Sequence, residues 1–125
     1  MPKSIPTPIS EVCDRWTIAR LKFERLPESE ISKEELQRQV DYYAEGIDTS
    51  HVELMIQVDR LYHINGMMWD AEHEIRKGRD ANLGLEEIGR RALKIRDLNR
   101  ERIAIKNKIV ELTGEGFKDA KMNYA

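Results

Sequence analysis

Apolar residues recur along this chain at the alternating spacing of three and four positions that is typical of amphipathic α-helices. The first such segment begins after Thr7 and Pro8 and stops before Pro27. Threonine is a favourable N-cap, and proline is tolerated at the first helical position because its missing N–H costs nothing there. The pattern therefore predicts a first helix over 8–26.

Three further segments carry the same periodicity. Ser32 and Glu35 form a capping-box pattern, which predicts a second helix over 32–45. The two longest segments predict helices over 50–78 and 85–113, and their apolar stripes alternate four and three residues apart, as in coiled coils. Because the break between these two helices is short, they are expected to pack as an antiparallel hairpin.

The expected fold is all-α, with a long antiparallel helical hairpin that is covered by the two shorter N-terminal helices. A chain of 125 residues suits one helical domain over residues 1–125 with a single modest core. Both long helices carry an apolar stripe, and the shorter helices do not have the length to cover all of it. Since exposed apolar patches are usually interfaces, we expect a homodimer, or a protein partner in place of the second copy.

Charge and composition exclude several classes of function. The 21 basic and 23 acidic residues give a net charge of −2, which provides no overall field to attract nucleic acid. No apolar run approaches the ~18 residues of a membrane-spanning helix, and the N-terminal segment lacks the apolar core of a secretion signal. We therefore expect a cytoplasmic protein with no nucleic-acid or membrane partner. Cys13 lies on an apolar stripe and is expected to be a core residue rather than a nucleophile.

Polar side chains interrupt the apolar stripes of the two long helices or lie beside them. We call this set the polar seam, and its members are Asn65, Trp69, Glu72, Arg76, Asn99 and Arg102. If the hairpin turns near residue 81, Asn65 lies near Asn99, and Glu72 lies near Arg91 on the facing helix. A buried charge must find a partner, so Glu72 is expected to pair with an arginine. Arg102 needs an acid as well, and the candidates are Asp59, Glu11 and Asp14.

Two interpretations of the polar seam remain open. In the first, its side chains only set the register of the hairpin, as a buried asparagine does in coiled coils. In the second, the flat ring of Trp69 and the neighbouring polar groups bind a small polar or anionic ligand. We favour the first interpretation, although the number of polar groups along one seam is larger than register alone requires.

A second cluster, on another face of the third helix, has the spacing of metal ligands. Its members are Asp59, His63, Asp70 and His73, which stand three or four residues apart in pairs. Metal sites in helical bundles normally draw carboxylates from several helices, so this cluster is more typical of a solvated surface. The sequence also lacks a glycine-rich phosphate-binding loop. We therefore expect neither a metal site nor a cofactor.

Several segments of the chain resemble a family of short, all-helical bacterial proteins of unknown function. These segments are Glu11–Ile18 (EVCDRWTI), Asn65–Arg76 (NGMMWDAEHEIR), Leu98–Ile109 (LNRERIAIKNKI) and the tail around Glu115, Lys121 and Tyr124. The family's W-x-x-E-x-x-x-R pattern falls on Trp69, Glu72 and Arg76, and its N-x-x-R pattern falls on Asn99 and Arg102. The genes of this family sometimes lie near genes for glycosyltransferases and cell-surface polysaccharide. The resemblance implies a bacterial helical protein and no particular reaction.

Two classes of function fit these observations. The first is a non-enzymatic accessory or assembly module that dimerises, or binds a partner, through its helical hairpin. The alternative is a small hydrolase or transferase that uses the seam around Glu72 and Arg102 on a phosphate- or sugar-containing ligand. The all-helical nucleotide pyrophosphohydrolases provide the precedent, since they gather several acids around Mg²⁺. In this chain the acids of the second helix do not share one face, which counts against the enzyme.

Overall fold

The computed structural model describes the backbone of residues 7–80 and 84–118, and the side chains of residues 7–77 and 84–118. Four helices make up most of this part of the chain: α1 (Ile9–Arg25), α2 (Lys33–Ala44), α3 (Val52–Asp80) and α4 (Leu85–Thr113). The described ranges contain no β-strand. The predicted all-α fold, with two short helices followed by two long ones, is confirmed. None of these helices is long and apolar enough to cross a membrane.

Some predicted helix ends are shifted by one or two residues. Pro8, and not Thr7, is the N-cap of α1, with φ of −61° and an extended ψ of 151°. The proline ring fixes φ but leaves ψ free, so Pro8 stays outside the helix while its carbonyl accepts from Glu11 and Val12. Helix α3 continues past Gly78 to Asp80. Residues 81–83 of the predicted break lie outside the described residues.

The capping box at the start of α2 forms only in part. The hydroxyl of Ser32 accepts a hydrogen bond from the backbone N–H of Glu35 at 3.1 Å, as predicted. The carboxylate of Glu35 does not complete the box, because it accepts hydrogen bonds from the side chains of Arg38 and Gln39. The cap therefore satisfies one of the free backbone donors of α2, while Glu35 strengthens the exposed face of the same helix.

The four helices form a three-helix bundle with one outer helix. Helices α3 and α4 pack as the predicted antiparallel hairpin, and α1 contacts both of them. Helix α2 folds back along α1, which is its one helical neighbour in the described part of the chain. At one end of α1, Glu11 reaches Lys106 of α4, and at the other end Arg25 reaches Asp70 of α3. The largest fully buried side chains include those of Leu21, Leu36, Leu61 and Ile109.

The cover that α1 provides ends partway along the hairpin. Arg25, the last residue of α1, donates to the carbonyl of Gly66 and to the carboxylate of Asp70. Beyond this point, no described side chain between Ala71 and Leu98 is buried. We call residues 72–77 and 84–97 the distal hairpin. It extends past the end of α1, so its stripe positions Ile75, Ile88 and Ile95 are only half-buried even though their spacing is that of a core.

Candidate functional site

Part of the polar seam lines one cleft between α1, α3 and α4. Asn65, Trp69 and Glu72 reach it from α3, and Arg102 reaches it from α4. Apolar side chains of α1 and α3 complete the lining, namely Ile18, Leu21 and Met68. The cleft has a volume of about 230 Å³. We call it the Trp69 cleft.

A hydrogen-bond network centred on Asp14 lies beside the Trp69 cleft. The side-chain amide of Asn65 donates to Asp14 Oδ1 at 3.0 Å and to Thr17 Oγ1 at 2.9 Å. Arg102 Nε donates to Asp14 Oδ1 at 3.2 Å, and Arg102 Nη2 donates to Asp14 Oδ2. Asp14 therefore joins all three helices of the bundle. A two-pronged contact of this kind between guanidinium and carboxylate is among the stronger interactions in proteins.

Helix α1 provides the acceptors of this network. Asp14 and Thr17 stand three residues apart, so both side chains point into the groove between α3 and α4. The Thr17 hydroxyl donates to the Asp14 carbonyl at 2.8 Å, which leaves its lone pairs directed at Asn65. The Asp14 side chain is only 6% exposed, and its charge is tolerated there because Arg102 neutralises it. Of the three acids considered for Arg102, the structure selects Asp14.

Asn65 and Asn99, which the spacing predicts to lie near each other, share no direct hydrogen bond. Asn65 turns toward α1, and Asn99 instead accepts a hydrogen bond from Arg102 Nη1 at 3.4 Å. The prediction considered only the two helices of the hairpin. Because α1 inserts buried acceptors beside Asn65, the amide bonds to them rather than across the hairpin.

The predicted ion pair between Glu72 and Arg91 does not form, so this prediction is wrong. Glu72 is exposed and makes no ion pair with any described residue. Arg91 bonds Glu87 Oε1 through Nε at 3.2 Å, and its Nη1 donates to the carbonyl of Glu74 at 2.5 Å. The physical reason is that Glu72 lies in the distal hairpin, where water solvates the carboxylate and no partner is required. Arg76 is exposed as well and does not line the Trp69 cleft.

We predict that Glu72→Gln leaves the free energy of unfolding within about 0.5 kcal/mol of the parent, because an exposed, unpaired carboxylate contributes little to stability. Urea unfolding at neutral pH measures this. Asp14→Asn, which removes the same charge from a buried position, is the matched control. A loss of more than about 2 kcal/mol in Glu72→Gln would show that Glu72 has a buried partner after all.

A second ion pair between α1 and α4 was not predicted. Lys106 Nζ lies 2.5 Å from Glu11 Oε1, and the lysine side chain is only 9% exposed. The spacing contained a signal: Lys106 follows Arg102 by four residues on α4, and Glu11 precedes Asp14 by three on α1. Residues at these spacings share a helix face, so the ion pairs Asp14–Arg102 and Glu11–Lys106 lie next to each other between α1 and α4. We call these two ion pairs the rungs.

The candidate metal ligands on α3 are not brought together. His63 Nε2 lies 3.6 Å from Asp59 Oδ2 on an exposed face. Asp70 instead forms an ion pair with Arg25, in which Oδ1 lies 2.7 Å from Nη1. Across the residues whose side chains are described, no group of three or more acidic, histidine or cysteine side chains has the geometry to hold a metal ion. The structure therefore gives Asp70 a role in fixing the end of α1.

Cys13 lies in the core, as predicted. Its side chain is fully buried among apolar residues of the bundle. Burial, with a smaller contribution from the neighbouring charge of Asp14, raises the pKa of the Cys13 thiol to about 12. A thiol with such a pKa is almost wholly protonated at neutral pH and is a poor nucleophile.

The geometry favours the structural interpretation of the polar seam. The donors that Arg102 and Asn65 direct inward are engaged by Asp14 and Thr17. Trp69 and Glu72 line the cleft but belong to no hydrogen-bond network among the described residues. Of the tail residues in the family resemblance, Lys121 and Tyr124 lie outside the described residues.

Comparison of the chain with models of protein families, with curated proteins and with solved structures returns no match. The resemblance to a family of short helical bacterial proteins therefore stays a prediction, and the function must be argued from the geometry alone.

Proposed function

We propose that this protein is a non-catalytic association module, in which the α3–α4 hairpin pairs with a second copy of the chain. The observation that carries the proposal is a pair of successive open depressions between α3 and α4, which no residue of α1 lines and which we together call the open groove. From α3 the groove is lined by Gln57, Arg60, Ile64, Met67, Ala71 and Glu74. From α4 it is lined by Glu87, Arg91, Lys94, Glu101, Ile105 and Lys108, among others.

The open groove has the pattern of a helix-pairing surface. Six of its eight α3 positions alternate three and four residues apart, which is the spacing that keeps one row of side chains facing a partner helix, and His63 and Asp70 stand beside this row. Ile64, Ala71 and Ile105 form an apolar floor, and Met67 on the rim is 48% exposed. Ile64, Ala71 and Ile105 also belong to the hydrophobic core of the single chain, so Met67 is the apolar side chain of the row that a second copy would cover. A second hairpin packed on this row would complete a four-helix bundle, because its two long helices would cover α3 and α4 of the first copy.

The proposal is tested by measuring mass in solution. We expect a species of about twice the 14.6 kDa chain mass at micromolar concentration, by light scattering or sedimentation. Met67→Glu should shift the protein to the monomer, because it places a charge in the apolar contact. Tyr42→Glu is the matched control, since Tyr42 is an exposed apolar residue on α2, away from the groove. A wild-type monomer at all concentrations would contradict the proposal.

We also propose a cytoplasmic, bacterial setting for this module. The support is the resemblance described above, together with the single cysteine of the sequence, which has no second cysteine in the chain with which to form a disulfide. A helical module with a net charge of −2 has no electrostatic reason to bind nucleic acid.

A small hydrolase or transferase acting at the Trp69 cleft is the second candidate. The cleft favours it, because the Trp69 ring and the Glu72 carboxylate face a space large enough for a small ligand. The engagement of Arg102 by Asp14 counts against it, since a phosphate would have to compete for the same guanidinium. Binding of inorganic phosphate or a sugar phosphate that Trp69→Ala abolishes would favour this candidate over the first.

A further inference from the structure

We propose that the two copies pair about a two-fold axis parallel to the helices, so that Arg60 on α3 of each copy binds Glu101 on α4 of the other. This inference rests on the proposed function and specifies its geometry. It follows from how charges are distributed along the open groove.

The two rims of the open groove carry opposite charges at the same height. Arg60 on α3 and Glu101 on α4 line the same section of the groove, near the base of the hairpin. Nearer the tip, Glu74 on α3 lies beside Arg91 on α4, whose Nη1 is 4.0 Å from Glu74 Oε2. Among these four charges, going from base to tip, α3 presents a positive and then a negative one, and α4 a negative and then a positive one. Lys108, nearer the base of α4, lies 3.6 Å from Glu111.

Two orientations allow identical hairpins to meet face to face through this groove. An axis parallel to the helices places α3 of one copy on α4 of the other, with equal heights matched. Arg60 then meets Glu101 of the second copy, and the contact occurs twice. An axis perpendicular to the helices places α3 on α3 in opposite directions. With the axis at the height of Met67, midway between these two residues, Arg60 then meets Glu74 of the second copy.

The pairing that already exists within one chain separates these two orientations. Arg60 and Glu101 are both exposed, and neither forms an ion pair with any described residue. Of the charges nearer the tip, Arg91 bonds Glu87 and the Glu74 carbonyl and Arg90 lies 2.7 Å from Glu87, whereas Lys94 forms no ion pair with any described residue. The parallel axis joins the two unpaired charges to each other. The perpendicular axis would place Arg60 and Glu101 against charged groups that already have a partner within their own chain. The new ion pairs would therefore stabilise the dimer less.

The apolar floor agrees with the parallel axis. Ile64 of α3 and Ile105 of α4 border the same section of groove as Arg60 and Glu101. Both side chains are buried in the core of the single chain, so only their outer edges would contact the second copy. The ion pairs then flank an apolar contact, which is the usual arrangement of a protein interface.

Charge reversal on separate chains tests the orientation. We expect Arg60→Glu alone, and Glu101→Arg alone, to raise the dimer dissociation constant about tenfold, since each puts like charges together at two symmetric places. An equimolar mixture of the two variants should form a heterodimer with nearly wild-type affinity. In that heterodimer one contact joins the two introduced side chains and the other joins the native Arg60 to the native Glu101, so both contacts are attractive. Native mass spectrometry with one isotopically labelled chain measures the fraction of heterodimer.

The controls separate this inference from the proposed function. Mixing Arg60→Glu with Glu74→Arg should give no gain, whereas the perpendicular axis requires a gain there and none in the first mixture. Suppose that the wild-type protein is a dimer, but that only the second mixture recovers affinity or that neither mixture does. The proposed orientation is then wrong, while the proposed function as an association module is not contradicted. A wild-type protein that stays monomeric overturns both. An ion pair between Arg60 and Glu101 within one chain is not restored by mixing, so it does not imitate the expected result.

Discussion

Asp14→Asn is expected to lower the free energy of unfolding by about 3 kcal/mol, the largest effect of any single polar substitution proposed for this chain. The amide that replaces one carboxylate oxygen directs a donor at Arg102 or at Asn65, and both of these groups are themselves donors in the native network. The expected loss lies at the lower end of the range for buried ion pairs, because the Arg102 side chain is 23% exposed and water solvates part of the stranded charge.

Urea unfolding of single and double variants checks this expectation. Replacing both partners, in Asp14→Leu with Arg102→Met, should recover much of the loss, since an apolar pair of similar size leaves no unpaired charge. Glu72→Gln provides the exposed control. If Asp14→Asn were as stable as the parent, the network would contribute nothing, and the packing of α1 would depend on apolar contacts alone.

Modification of Cys13 by a thiol reagent is expected to be about 10³-fold slower in the folded protein than in the urea-unfolded chain at mildly alkaline pH. The reason is that reagents attack the thiolate, and burial raises the pKa of this thiol from 9.0 to about 12. Release of the reagent's chromophore in native and denaturing buffer measures the two rates. Comparable rates would show that α1 leaves the bundle often enough to expose the thiol.

The same pKa shift predicts a loss of stability in alkaline solution. Between about pH 9 and about pH 12 the thiol of the unfolded chain is ionised, while the folded one remains protonated. The unfolded state then binds fewer protons, so stability falls as pH rises, by up to about 1.4 kcal/mol per pH unit. Cys13→Ala lacks this contribution. The stability difference between parent and Cys13→Ala should therefore change in favour of the variant above about pH 9, and parallel curves would contradict the assignment.

Periodicity was sufficient to predict the helices and the hairpin, because long amphipathic patterns with clear breaks determine element type strongly. The break at Pro27, the cap at Ser32 and the spacing along α3 could be predicted because each depends on residues that are close together in the sequence. Asp14 was among the acids considered for Arg102 because it lies on the face of α1 that the apolar stripe turns inward. These predictions depended on neighbours in sequence, or on one well-defined helix face.

The failures concerned side chains whose surroundings depend on a third helix. Asn65 and Asn99 have matching heights on the hairpin, but α1 lies beside Asn65 and provides better acceptors. Glu72 has the stripe position of a buried residue, yet α1 ends before it and leaves it in water. Spacing reports which residues share a face, and it does not report whether another helix is long enough to cover that face.

The early end of α1 also divides the molecule energetically. In residues 72–77 and 84–97 no side chain is buried, whereas the base of the hairpin contains the buried core and is joined to α1 by the rungs at Asp14 and Glu11. Opening of the distal hairpin therefore exposes little apolar surface and leaves both rungs intact, so it needs much less free energy than global unfolding. We therefore expect each half of the same two continuous helices to belong to a different cooperative unit, with the boundary near the contact between Arg25 and Asp70.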